Sequence, residues 1–231
     1  MRQARSGRFD TRVRFPARLR TGAAGVAALL QAALVGLMLV SGGAVAQAQT
    51  LASLPSPTST LEKTGDARPV AAWTKFCARY PVECAVDPSE PAAIALTPEI
   101  WRTLVSVNRR VNARIKPMTD LQHWGVVDQW DFPDDGYGDC EDYQLLKRRL
   151  LAERGLPRRA MRMTVVIDEE EQGHAVLMVR TDHGDFILDN KRMSVLPWQQ
   201  TGYVFVKREG QDNTAWVSLN GVASPTATAN R

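Results

Sequence analysis

Apolar positions recur at helical spacing in the first half of the chain. In the second half they gather into short, strand-length runs. Ala71–Tyr80 (AAWTKFCARY) carries a short apolar stripe and predicts a helix. Thr97 is a good N-cap, with Pro98 at the first helical position and Glu99 in the first turn. Trp101, Leu104, Val107 or Asn108, Val111 and Ile115 then follow one face, which predicts a helix over 98–116. A third helix starts near Asp139, buries Tyr143, Leu146, Leu150 and Leu151, and stops before Gly155 and Pro157. Between the last two helices, residues 120–138 read as a loop, rich in aromatic and acidic residues and broken by Gly and Pro. From Ala160 the runs MRMTVVI (161–167), HAVLMVRT (174–181), DFIL (185–188), GYVFVK (202–207) and AWVSL (215–219) predict strands. Asp182-His183-Gly184 is a tight turn between two of them and predicts an antiparallel hairpin. Helices followed by an antiparallel sheet make an α+β domain.

The ends of the chain have a different character. Residues 1–20 hold seven arginines and one acid; an apolar stretch (22–40) and two small-x-small sites ending at Ala46 and Ala48 follow. This predicts a signal peptide over 1–46 and a body outside the cytoplasm, with membrane contact only if the leader stays uncleaved. Residues 47–70, rich in Ser, Thr and Pro and without a period, predict a flexible linker, and 221–231 a flexible tail. The folded domain is then 71–220. The formal charge of +4 belongs to the leader. Without residues 1–20 the chain has 22 Lys and Arg against 24 Asp and Glu, which argues against a nucleic-acid partner. Three cysteines exclude both a disulfide-stapled miniprotein and a four-cysteine zinc site. Outside the cytoplasm Cys77 and Cys84 can pair and leave Cys140 as the odd thiol; the alternative is that all three are buried.

Cys140 has the most chemical information. It stands at a helix start after Gly136-Tyr137-Gly138. There the helix dipole favours a thiolate, and free N–H groups can hold an oxyanion. Asp139, Glu141 and Asp142 flank it, and three carboxylates raise a thiol pKa. A calcium ion would neutralise them, although their spacing is not that of an EF-hand loop. A solvated acidic helix N-terminus is the plainer alternative. A cysteine nucleophile needs a base and an orienting group. His174 at the mouth of a strand and Asp189 at the end of the next suit those roles; His183 reads as a turn residue, and His123 is unassigned. A symmetric hairpin centred on His183 sets Asp189 opposite residue 177, about 10 Å along the strand from 174. The pairing then needs a bulge or a wider turn.

Gly138-Asp139-Cys140-Glu141-Asp142-Tyr143, Lys147, Gly173-His174-Ala175-Val176 and Leu188-Asp189-Asn190 occur in that order. With the upstream block Trp73, Phe76-Cys77, Pro81, Glu83-Cys84 and with Trp130, this pattern resembles the bacterial transglutaminase-like cysteine proteinases over about 70–220. The resemblance is to the LapG-type periplasmic proteases. It implies a papain/transglutaminase-like α+β fold, with N-terminal helices and the nucleophile at a helix N-terminus, packed on a C-terminal antiparallel β-sheet. It implies a Cys140–His174–Asp189 triad, and Ca²⁺ held by Asp139, Glu141 and Asp142. It implies a protein substrate of the surface-adhesin kind and an inner-membrane cyclic di-GMP receptor that sequesters the enzyme. Two other readings compete: acyl transfer to an amine through the same thioester, and a non-catalytic module that binds calcium or a partner on the acidic loop 128–142.

Overall fold

The computed structural model describes residues 53–219; the signal peptide expected over 1–46 and the tail expected over 221–231 lie outside them. Within Gln47–Arg231, one compact unit, the elements run in the following order. They are β1 (Gly65–Ala67), α1 (Ala71–Arg79), α2 (Pro81–Cys84), α3 (Pro98–Arg114), β2 (Lys116–Pro117), α4 (Asp120–His123), β3 (Tyr137–Gly138) and α5 (Cys140–Ala152). Six strands follow: β4 (Met161–Ile167), β5 (Gly173–Thr181), β6 (Gly184–Leu188), β7 (Leu196–Pro197), β8 (Val204–Glu209) and β9 (Trp216–Ser218). The main sheet has the order β1-β9-β8-β4-β5-β6-β7, and all its pairings are antiparallel. This is the expected α+β arrangement.

Local chemistry sets the long helices. The Thr97 hydroxyl accepts the Ile100 N–H at 3.2 Å, and Pro98 occupies the first turn, so α3 begins where the cap signal places it. Its buried face (Trp101, Leu104, Val107, Val111) packs with Leu145 and Leu151 of α5 against Met163, Val165, Leu177, Val179 and Phe186 of the sheet. The opposite sheet face is also covered: Val166, Val176, Met178, Ile187 and Phe205 form a second cluster with Leu61 and Tyr203. Burial on both faces explains why β4, β5 and β6 appear in the sequence as apolar runs rather than alternations.

The linker expectation for 47–70 is corrected over its described part. The Thr58 N–H bonds to the His183 carbonyl, the Leu61 N–H bonds to Asp185, and β1 pairs with β9. A single buried leucine and backbone pairing hold this segment, and neither leaves a period in the sequence. Strand β8 runs two residues beyond expectation, through charged Arg208 and Glu209. Glu209 is buried because it bonds Arg148 of α5 at 2.6 Å, the Trp73 indole at 2.7 Å and the Met163 N–H at 2.8 Å. Cys77 and Cys84 form a disulfide between α1 and α2, and Cys140 is the free cysteine.

Candidate active site

Cys140 is the first residue of α5 and is 1% exposed. Close packing fixes this turn. A Cβ on Gly138 would lie 2.7 Å from Asp142 Oδ2 and 2.8 Å from Asp142 Cβ, so only glycine fits. Asp142 accepts the Asp139 N–H at 3.3 Å and the Asp131 N–H at 2.9 Å, which ties the helix start to the loop before it. The Tyr143 hydroxyl donates to the Ile115 carbonyl at 2.8 Å and anchors α5 to the end of α3.

The hairpin β5–β6 brings His174 and Asp189 together. Thr181 pairs with Gly184 and Leu177 with Leu188, so the turn is tighter than one centred on His183. Continued by one residue, this register sets Asp189 opposite Val176 rather than residue 177. That places Asp189 on the same sheet face as His174 and diagonal to it, within side-chain reach. No bulge or wider turn is needed, and His174 Nε2 lies 2.9 Å from Asp189 Oδ1. The carboxylate also accepts the Tyr203 hydroxyl at 2.6 Å and the Lys191 N–H at 3.0 Å. Asn112 of α3 holds the Asp189 carbonyl at 2.8 Å, and Gln144 of α5 reaches Asn190 at 3.3 Å. Burial works against the Asp189 charge. The hydrogen bond and charge of His174, with Tyr203 and Lys191, outweigh it and hold the carboxyl at about 2.

With Nε2 bonded to the carboxylate, a neutral His174 ring keeps its lone pair on Nδ1. That atom is buried and has no hydrogen-bond partner among the described residues. The next residue places the thiol: the Ala175 N–H donates to Cys140 Sγ at 3.2 Å. Strand β6 ends at Leu188, so the β5 backbone before Leu177 lacks a β6 neighbour, and α5 presents its sulfur there. Cys140, His174 and Asp189 therefore meet at one end of the sheet. His123 is elsewhere, bonded to Asp135 at 2.7 Å, and His183 is the turn residue expected, facing the Pro55 carbonyl at 3.1 Å.

The acidic cluster is larger than the sequence shows. Ligand-capable atoms group as Asp139, Cys140 and Glu141; as Asp120, Asp139 and Asp142; and as Asp120, Asp128 and Glu141, in each case within 4.8 Å of one another. Asp120 and Asp128 were not expected as ligands. They come from α4 and the loop after it, 19 and 11 residues before Asp139. The Asp120 N–H bonds to Asp139 Oδ2 at 3.2 Å, and the Trp130 indole holds Asp128 at 3.2 Å. Trp130 itself lies in the core against Trp216.

Three buried carboxylate oxygens, Asp120 Oδ1, Asp139 Oδ1 and Glu141 Oε1, have no hydrogen-bond partner among the described residues. Burial and the neighbouring charge of Asp120 push the Asp139 carboxyl up to about 7. Burial, with the charges of Asp139 and its neighbours, pushes Glu141 and Asp142 well up. Unpartnered oxygens of several acids converging on one point are the donor set of a hard cation. These acids can hold a metal ion. Burial and the Glu141 and Asp139 charges also push the Cys140 thiol well up, and its S–H donates to Glu141 Oε2 at 3.0 Å.

Comparison with known proteins gives the family. The family model for bacterial transglutaminase-like cysteine proteinases matches residues 63–224. The chain belongs to this family. It is a cysteine peptidase of the transglutaminase-like kind, and the family match spans the disulfide, the acidic cluster and the thiol. No protein of curated function matches the chain. Among solved structures, calcium-bound Legionella pneumophila LapG shares 25% identity over 55% of this chain and 74% of its own, with a TM-score of 0.45. The EGTA-treated form shares 26% over 56% and 72%, with a TM-score of 0.44. Overall likeness at that level is loose.

Proposed function

We propose that the protein is a periplasmic, calcium-dependent cysteine endopeptidase with Cys140 as nucleophile, His174 as base and Asp189 as the group that orients the imidazole. The observation that carries this reading is the bonded His174–Asp189 pair, with its open, buried Nδ1 one residue from the N–H that holds the thiol. In the reaction the thiol proton passes to His174 Nδ1, and Sγ forms a bond to the substrate carbonyl carbon. The oxyanion lies against first-turn N–H groups of α5. His174 returns the proton to the leaving amine as the C–N bond breaks. It then takes a proton from water, whose oxygen displaces Sγ and releases the acid.

Asp139, Glu141 and Asp142, joined by Asp120 and Asp128, would hold the calcium ion, and Asp142 also braces the loop through its two backbone bonds. Bound there, the ion supplies the positive charge that lets a thiolate form among these carboxylates. The arginine-rich leader and the Cys77–Cys84 disulfide support an oxidising, extracytoplasmic compartment. The family resemblance supports a surface adhesin as substrate, and an inner-membrane cyclic di-GMP receptor as the partner that sequesters the enzyme.

The test is calcium-dependent cleavage of an adhesin N-terminal fragment from the same cell, read by mass spectrometry. Cleavage that stops with chelator, with Cys140→Ala and with His174→Ala supports the proposal. Cleavage that survives Cys140→Ala refutes it. Adding a primary amine separates the competing chemistry, because acyl transfer would leave that amine on the product.

A further inference from the structure

The sheet face away from α3 and α5 carries a second polar site. A cavity of about 230 Å³ opens beside β8 and β9, with Arg180, Arg208, Gln211 and Lys63 among its walls. It is far from the thiol: Arg180 and His174 are six residues apart on β5, about 20 Å. The chemistry of the two arginines differs. Arg180 is fully engaged, bonding Asp185 through Nε and Nη2, the Leu61 carbonyl through Nη2 and Gln211 through Nη1. Asp185 is in turn filled by Arg180 and by the Leu61 N–H.

Arg208 is 4% exposed, and its Nε has no hydrogen-bond partner. Its one bond is a long one, from Nη1 to the Glu209 carbonyl at 3.3 Å. Among the described residues it forms no direct ion pair; the charges of Asp185 and Glu62 act on it without touching it, opposed by those of Arg180 and Arg162. An unpaired charge in this position is costly unless something supplies the missing partner. No rim acid pairs with it directly: Asp212 pairs with Arg159 at 2.8 Å, Glu62 accepts the Thr60 hydroxyl, and Asp66 is exposed.

We infer that this cavity is a binding site for a singly charged carboxylate, held by Arg208 on its floor with Lys63 at its mouth. The fork of Arg208 has no ion-pair partner and can take one carboxylate group. The exposed acids on the rim disfavour a dianion. The planar fork of an arginine suits a carboxylate group. The volume is several times a water's share of the liquid, enough for a carboxylate on a small body. The carboxylate can come from a free small acid or from the end of a protein chain.

Calorimetry on the purified protein tests this with N-acetylglycine, N-acetylglycinamide, N-acetyl-triglycine and inorganic phosphate as probes. The expected result is saturable one-to-one binding of N-acetylglycine, none of the neutral amide, and a loss of about tenfold or more in Arg208→Met. Tighter binding of the triglycine acid identifies a chain terminus as the source, and equal binding a free acid. Arg208→Met removes a buried charge that has no direct ion pair and should be at least as stable as the parent, so its loss of binding reads the site and not the fold. Lys63→Ala, at an exposed position, should weaken binding a few-fold. No saturable binding by any probe, or binding unchanged in Arg208→Met, overturns the site. Preference for phosphate overturns the carboxylate assignment.

Discussion

Replacing Lys147 by methionine should stabilise the protein. Lys147 lies on α5 two turns after Cys140, with no exposed surface, and its Nζ has no hydrogen-bond partner among the described residues. The amine lies 6.0 Å from the centroid of the Tyr143 ring. Burial lowers its pKa to about 7, and the charge of Asp189 opposes that shift only in part. The sign follows from proton counts. Between pH 7 and about 10.5 the unfolded chain binds a proton at this position that the folded chain has lost, so stability rises with pH. The full shift corresponds to about 5 kcal/mol, and local relaxation reduces this to about 2–4 kcal/mol. Methionine has nearly the same shape and no charge to lose. Urea unfolding at pH 7 should therefore show Lys147→Met more stable by about 2–4 kcal/mol, with the gain shrinking towards zero near pH 10.5. Comparing the two proteins at each pH cancels every other titrating group. A destabilised methionine variant, or a difference that does not change with pH, would refute the reasoning. It would mean that the amine has a partner in the folded protein.

Other positions give equally direct outcomes. Asp120→Asn should abolish most of the calcium-induced rise in melting temperature; the parent's rise corresponds to about 2.7 kcal/mol when the ion is at a hundred times its dissociation constant. Differential scanning calorimetry with calcium and with chelator reads it. Gly138→Ala forces a Cβ to within 2.7 Å of Asp142 Oδ2 and should cost about 1–3 kcal/mol, measured by thermal unfolding. Glu209→Gln strips the counter-charge from buried Arg148 and should cost about 3–5 kcal/mol in denaturant titrations.

Much of the fold could be read from the sequence because its signals are local. Thr97-Pro98 starts α3 and Gly155 follows the end of α5, and the apolar runs of β4 to β6 mark a sheet buried on both faces. The candidate site was legible where chemistry and position coincide, at Cys140, His174 and Asp189, which the fold brings together. The mode of pairing was not: a one-residue difference in hairpin register decides whether Asp189 shares a face with His174, and turn type is not fixed by Asp182-His183-Gly184 alone. Asp120 and Asp128 were invisible as candidate ligands because a folded loop, not sequence spacing, brings them to Glu141. Strand β1 escaped notice because Gly65–Ala67 has no alternation and is held by backbone bonds to β9.

The central claim is that a metal-bound acidic cluster controls the reactivity of Cys140 beside His174. The most direct test is the rate of Cys140 alkylation by iodoacetamide against pH, with calcium and with chelator, in the parent and in His174→Ala. The account predicts rapid alkylation with calcium at neutral pH, slow alkylation with chelator, and loss of the calcium effect in His174→Ala. A rate that is the same with and without calcium, following an ordinary thiol titration near pH 8.5, would contradict it.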